Sequence, residues 1–140
     1  MMEYRRFKDK VVARLDPGEE VLDSIRKIAS EEDIQTGMIN GLGATMDYDV
    51  SVYDLNEKKY YPVHCDVQSE ITSLFGTITR KDGEVYLHVH MQAMDKNGKA
   101  IGGHLLKCVI NATCELVIDV IDGSVGRKVD EATGLTVMAF

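Results

Sequence analysis

One stretch, residues 84 to 106 (EVYLHVHMQAMDKNGKAIGGHLL), constrains this chain most, because it places three of the four histidines within an alternating strand pattern. From Val85 to Ala93, every second residue is apolar, which predicts a strand with one buried face. The residues on the opposite face are Tyr86, His88, His90 and Gln92. Side chains two positions apart on a strand point the same way, about 7 Å apart. His88 and His90 can therefore lean onto one metal ion.

A third candidate ligand, His104, follows a turn signal at residues 95 to 98 (DKNG), which would fold the next strand back beside the first. Three imidazoles without a thiolate are typical of zinc or a related divalent metal that keeps an open coordination position. The glycine pair before His104 indicates a bulge or a close approach of backbone. Alternatively, His88 and His90 are simply solvated, and His104 is a separate hydrogen-bonded residue. Spacing alone leaves both interpretations open.

Length and charge restrict the class of protein. A chain of 140 residues is long enough for one domain with its own apolar core. The net charge of −7 makes a poor match for nucleic acid, whose phosphates are bound by Lys and Arg. The densest basic cluster, residues 5 to 10, is interrupted by Phe7 and Asp9 and is interpreted as a solvated strand edge. Binding to DNA is therefore weakly supported by composition.

The cysteines and the apolar runs indicate the compartment. Three cysteines, with no Cys-x-x-Cys spacing, are typical of a reducing cytoplasm. Cys108 and Cys114 lie in apolar sequence and are predicted to be core residues. The first ten residues lack the apolar segment of a signal peptide, and no apolar run approaches the roughly 20 residues of a membrane span. We expect a cytoplasmic protein without membrane contact.

One amphipathic helix is predicted from Pro17 to about Glu32. Asp16 suits the N-cap position, Pro17 the first helical position, and Glu19 completes a capping box. Apolar residues then recur at helical spacing and would pack on a sheet. They are Val21, Leu22, Ile25, Ile28 and Ala29.

About eight strands joined by short turns are predicted in the remainder. The first is residues 7 to 15, and Asp82-Gly83 marks a hairpin into the histidine strand. A strand beginning at Ile34 would break at the glycine-rich residues 41 to 44, interpreted as a tight turn or bulge rather than an anion-binding loop. Two strands, 105–110 and 113–121, and a last one, 135–140, follow. The predicted class is α+β: a curved, mostly antiparallel, barrel-like sheet with one main helix.

Five short motifs, in this order, resemble the PPC domain, a plant-and-prokaryote domain that accompanies AT-hooks in plant proteins. They are residues 15–19 (LDPGE), 40–43 (NGLG), 70–76 (EITSLFG), 87–90 (LHVH) and 102–105 (GGHL). The resemblance implies a single such domain over residues 1–140 that assembles as a homotrimer. It also implies a metal, zinc, bound by His88, His90 and His104. The fold of the family is similar to that of α-acetolactate decarboxylase, an enzyme with zinc held by three histidines.

The resemblance supports two functional hypotheses. The first is a homotrimeric zinc-binding protein with a small-molecule site, whose catalytic role stays open. The second is a DNA-associated regulatory or oligomerisation module, although Pro17 and Pro62 are the only prolines and neither lies in the Arg-Gly-Arg-Pro core of an AT-hook. A purely structural metal at trimer contacts is a third reading. Gln92 on the histidine face and Glu70 on a neighbouring strand are the candidates to contact a ligand or an imidazole.

Overall fold

The computed structural model describes all 140 residues and contains nine strands and one helix. In chain order these are β1 (Glu3–Phe7), β2 (Lys10–Leu15), α1 (Val21–Glu31), β3 (Thr36–Asp54), β4 (Lys59–Cys65), β5 (Ser69–Lys81), β6 (Glu84–Asp95), β7 (Ala100–Ile121), β8 (Gly126–Val129) and β9 (Thr136–Ala139). The helix has 11 residues and is too short to cross a membrane.

Seven strands form one sheet in the order β1-β2-β7-β6-β5-β3-β4, and every pairing is antiparallel. Strand β7 also pairs with β3, which curls the sheet into a partial ring. Strands β8 and β9 form a separate two-stranded hairpin. The predicted α+β class, with a curved antiparallel sheet and one helix, is confirmed.

One face of β6 is buried in the core and the other is exposed. Val89, Met91 and Ala93 are buried in one apolar cluster that also contains the inward face of α1. Burying a side chain such as Ile28 contributes about 1.5–3 kcal/mol. Because side chains alternate along a strand, this burial turns His88 and His90 to the outer face of the sheet.

The predicted start of the helix is wrong. Gly18 has φ +90, a left-handed conformation that does not occur within a right-handed helix. Its N–H donates to the carbonyl of Ile110 on β7. Glu19 does reach back to the N–H of Asp16, as a capping box requires, but this closes a turn. The N-cap is Glu20, whose side chain accepts from the N–H of Asp23.

Two further differences concern the long strands. The glycine-rich residues 41–44 do not end a strand: β3 runs through them with a register shift between Gly41 and Gly43, so the predicted bulge is confirmed and the predicted break is wrong. Likewise β7 is one strand of 22 residues, where two had been predicted around Asn111. Both strands change partners along their length, and this continuity depends on tertiary pairing.

At the N-terminus, the predicted first strand, residues 7–15, contains β2 and the turn at Lys8, which has φ 55. β1 precedes this turn and pairs with β2 as a hairpin that the sequence pattern did not predict. Cys108 and Cys114 are fully buried, as predicted. The C-terminal hairpin pairs β9 with β8, a strand that the sequence pattern did not predict.

Candidate metal centre

The β6–β7 hairpin brings the three histidines together. The side chain of Asp95 accepts from the backbone N–H groups of Asn97 and Lys99, and Gly98 adopts φ +79. This turn sets a register in which His90 and His104 are direct partners across the two strands. The predicted turn and the return strand are thereby confirmed.

The glycine pair before His104 permits two close backbone approaches. A Cβ on Gly103 would lie 2.6 Å from the carbonyl oxygen of Ser51 on β3, and one on Gly102 would lie 2.8 Å from that of Met91 on β6. No side chain fits at either distance, so only glycine lets β7 pass between its two neighbours here. The close approach predicted from the sequence is confirmed, and it fixes the position of the His104 backbone between β3 and β6.

The ring nitrogens of the three histidines suit one metal ion. One ligating nitrogen from each lies within 4.8 Å of the others, and Nε2 of His88 is 3.2 Å from Nε2 of His90. Two imidazole nitrogens bound tetrahedrally at about 2.0–2.1 Å from zinc lie about 3.3 Å apart. The donor set and its spacing therefore fit a divalent ion held by three imidazoles.

Burial keeps the imidazoles of His104 and His88 in the form that binds a metal. Desolvation, together with the neighbouring His88 and His90, lowers the pKa of His104 to about 4. Desolvation also lowers the pKa of His88, with smaller contributions from His90 and Arg127. Both rings are thus neutral at pH 7, and a neutral imidazole offers its lone pair to a metal.

The cluster faces a cavity of about 560 Å³ between the outer face of the sheet, the β3–β4 hairpin and the β8–β9 hairpin. The ring of Tyr60 is tilted over His104 at 5.2 Å between centroids, and Tyr53 follows at 4.8 Å from Tyr60. The apolar part of the wall comprises Val52, Leu135, Val137 and Met138. The open side of the cluster therefore faces a space that can hold a small molecule.

Arg127, on β8, also lines this cavity. Its Nε donates to Oγ1 of Thr79 at 2.8 Å and its Nη2 to Oγ1 of Thr77 at 3.2 Å, and its guanidinium lies 4.7 Å above the ring of Tyr86. The sequence prediction missed Arg127, because a four-residue strand shows no clear periodicity and nothing local links it to β6. Tyr53 and Tyr60 lay within a predicted hairpin, but only their cross-strand register places both at the site.

Gln92 and Glu70, the other two predicted site residues, do not line the cavity. Gln92 lies two residues after His90 on the same outer face of β6. Its backbone carbonyl oxygen accepts from Oγ1 of Thr72 at 3.1 Å. Glu70 is exposed on β5 and lines a different cavity, together with Lys96.

The fold and the site define a class: an antiparallel α+β domain with a three-histidine cluster on the outer face of its sheet. Residues 2–122 match the family of the Plants and Prokaryotes Conserved (PCC) domain, and the chain belongs to this family. The family expected from the five motifs is confirmed.

Solved structures agree with this assignment. A protein from Bacteroides thetaiotaomicron superposes with a TM-score of 0.96 at 26% identity, covering 100% of this chain and 98% of that one. A metal-containing protein from Archaeoglobus fulgidus superposes with a TM-score of 0.87 at 28% identity, covering 100% and 99%. The α-acetolactate decarboxylase of Bacillus subtilis shares the fold alone, with a TM-score of 0.55 and 14% identity over 83% of this chain and 54% of the enzyme.

A curated relative is considerably longer. The bifunctional protein GlmU of Synechococcus sp. (strain JA-3-3Ab) is 28% identical over 124 residues, which cover 86% of this chain and 19% of that protein. The chain thus spans about a fifth of the length of this relative.

Proposed function

We propose that this chain binds one zinc ion through His88, His90 and His104 and uses the adjoining cavity to bind a small molecule. The observation that carries the proposal is the convergence of three imidazoles, with ligating nitrogens within 4.8 Å of one another, at the wall of a cavity of about 560 Å³. The similar Archaeoglobus fulgidus protein is described as metal-containing, which supports a metal here.

Three protein ligands would leave one coordination position of the ion for a ligand. Zinc bound in this way can polarise a carbonyl or acidify water. The residues of the chain would hold the ion and orient the ligand, with Arg127 and the phenols of Tyr60 and Tyr86 as the polar groups nearby. No Asp, Glu or Lys lines the cavity, and the role we assign to the chain's own side chains is binding.

We also propose that the chain is one domain that assembles as a homotrimer in the cytoplasm. Large apolar side chains are exposed on the outer face of the sheet, including Leu42 at 56%, Phe75 at 49% and Val12 at 45%. Monomeric proteins rarely expose broad apolar patches, so this face suits contact with further copies. Phe75 is the cross-strand partner of His90, which puts the proposed contact beside the metal centre.

Association with DNA is the second candidate. It is supported by the descriptions of two similar proteins, from Bacteroides thetaiotaomicron and Ralstonia eutropha, as candidate DNA-binding proteins. The net charge of −7 opposes direct contact with phosphates, so this function would be exerted mainly through oligomerisation or a partner. Salt-sensitive binding of duplex DNA at low micromolar concentration would favour it.

Elemental analysis by mass spectrometry tests the first candidate. The protein is purified without a histidine tag, and the triple variant His88→Ala/His90→Ala/His104→Ala is analysed beside it. We expect about one zinc per chain in the wild type and none in the variant. His64→Ala, which removes the histidine outside the cluster, is the matched control and should keep its zinc. A wild type that stays metal-free after zinc is added back would contradict the proposal.

A further inference from the structure

Arg127 gives the histidine cavity a local positive charge in an acidic chain. It is the only Lys, Arg, Asp or Glu among the lining residues, whereas the whole chain has a net charge of −7. An anion entering the cavity therefore meets a cation and no carboxylate.

Arg127 has capacity left for a ligand. Its two side-chain hydrogen bonds use Nε and one hydrogen of Nη2, and both acceptors are neutral threonine hydroxyls. A guanidinium has five N–H donors, so both hydrogens of Nη1 and one of Nη2 are free of protein partners. Arg127 also forms no ion pair, as its absence from the eleven ion pairs of the chain shows. A half-buried cation of this kind is costly unless an anion compensates it.

The two threonines hold the guanidinium beside the outer face of β6. Thr77 is the cross-strand partner of His88, and Thr79 that of Tyr86, so a group bound to both hydroxyls lies beside the outer face of β6. Its central carbon lies 4.7 Å from the centroid of the Tyr86 ring, over the face of that ring. The donors left free belong to the Nη1–Nη2 side of the guanidinium, which matches the two oxygens of a carboxylate.

We infer that the cavity binds a small organic carboxylate, whose carboxylate group pairs with Arg127 while its body lies between the histidine cluster and the apolar wall. The apolar residues of that wall, Val52, Leu135, Val137 and Met138, favour an organic anion over an inorganic one. This inference rests on the proposed small-molecule site and names the class of its ligand.

Fluorine NMR titration with trifluoropropionate tests the inference, with trifluoropropionamide as the neutral analogue. Each probe is titrated into zinc-treated and metal-free protein, for the wild type and for Arg127→Gln. Lys128→Gln is the matched control, because it removes the same charge from the neighbouring, exposed position of β8. Circular dichroism melting confirms that all variants fold.

We expect the wild type to bind the carboxylate at least about tenfold more tightly than the amide, since hydrogen bonds to a charged group contribute about 1.5–3 kcal/mol. Arg127→Gln should lose this preference and Lys128→Gln should keep it. The metal-free titrations report on Arg127 alone, so they decide the inference even if the protein takes up no zinc. Equal binding of both probes, or no binding of the carboxylate up to about 10 mM, would overturn it. Displacement of the probe by inorganic phosphate at lower concentration would overturn the assignment to carboxylates.

Discussion

His90 and His104 face each other as direct partners across β6 and β7, and the register of that one hairpin decides whether a metal site exists. A shift of one residue would turn the whole outer face of a strand inward. The buried positions of Met91 and Leu105 prevent such a shift, because both would have to leave the core. The site is thus fixed by the same packing that forms the sheet.

The His104→Ala variant should lose the stabilisation that zinc gives to the wild type. A ligand at one hundred times its dissociation constant stabilises the folded state by about 2.7 kcal/mol, which corresponds to several degrees in Tm. Differential scanning fluorimetry with and without zinc measures this shift. His64→Ala, whose histidine lies outside the cluster, should show the full shift. An equal zinc-induced shift in His104→Ala would show that the metal binds elsewhere.

Gly103→Ala should destabilise the protein and weaken metal binding together. The added Cβ would lie 2.6 Å from the carbonyl oxygen of Ser51, so β3 and β7 must separate. Overpacking of this kind costs about 1–3 kcal/mol, which urea denaturation can resolve. Gly126→Ala is the matched control, since its Cβ would have only the Ala139 carbonyl oxygen near it, at 3.8 Å. Equal stability of the two variants would rule out the steric role of Gly103.

Glu20 should contribute to stability through both oxygens of its carboxylate. One oxygen accepts from the N–H of Asp23 as the helix N-cap, and the other accepts from the N–H of Cys108 on β7. Glu20→Ala removes the cap, at about 0.5–2 kcal/mol, and leaves the N–H of Cys108 without its acceptor. Glu131→Ala, at an exposed turn position, should have little effect in the same denaturation experiment. Comparable losses in the two variants would contradict this assignment.

The pair His64 and Asp49 should make a small, pH-dependent contribution to stability. Nδ1 of His64 lies 2.6 Å from Oδ1 of Asp49, and this hydrogen bond raises the pKa of His64 above 6.5. The contribution is therefore present below the unfolded-state pKa and is lost as the pH rises through the folded-state value. Proton NMR titration should show the pKa of His64 above 6.5 in the wild type and closer to 6.5 in Asp49→Asn. No difference between the two titrations would exclude the pairing.

Much of the site could be predicted from the sequence because it is local. His88 and His90 share a strand face by alternation, and the turn at residues 95–98 returns the chain after a few residues. The hairpin at Asp82-Gly83 could be predicted as well, because Asp-Gly favours a tight turn in which both residues have positive φ. Both residues do have positive φ in the structure. The zinc ion and the homotrimer came from the resemblance and stay predictions.

The remainder depended on contacts between distant segments. Arg127 reaches the site because a short hairpin folds over β5, 50 residues from Thr77 in sequence. The helix begins at Val21 instead of Pro17 because Gly18 and Glu19 hydrogen-bond to Ile110 on β7. Such pairings have no local signal, so pattern analysis brings the histidines together and misses Arg127, which lines the same cavity.

X-ray absorption at the zinc edge tests the central claim most directly. In the zinc-loaded wild type, we expect a first shell of about three imidazole nitrogens and one further light atom at about 2.0–2.1 Å, with the outer-shell scattering of imidazole rings. A sulfur shell at about 2.3 Å would instead indicate that zinc binds to cysteines. Either that result or the absence of imidazole scattering would contradict a metal centre built from His88, His90 and His104.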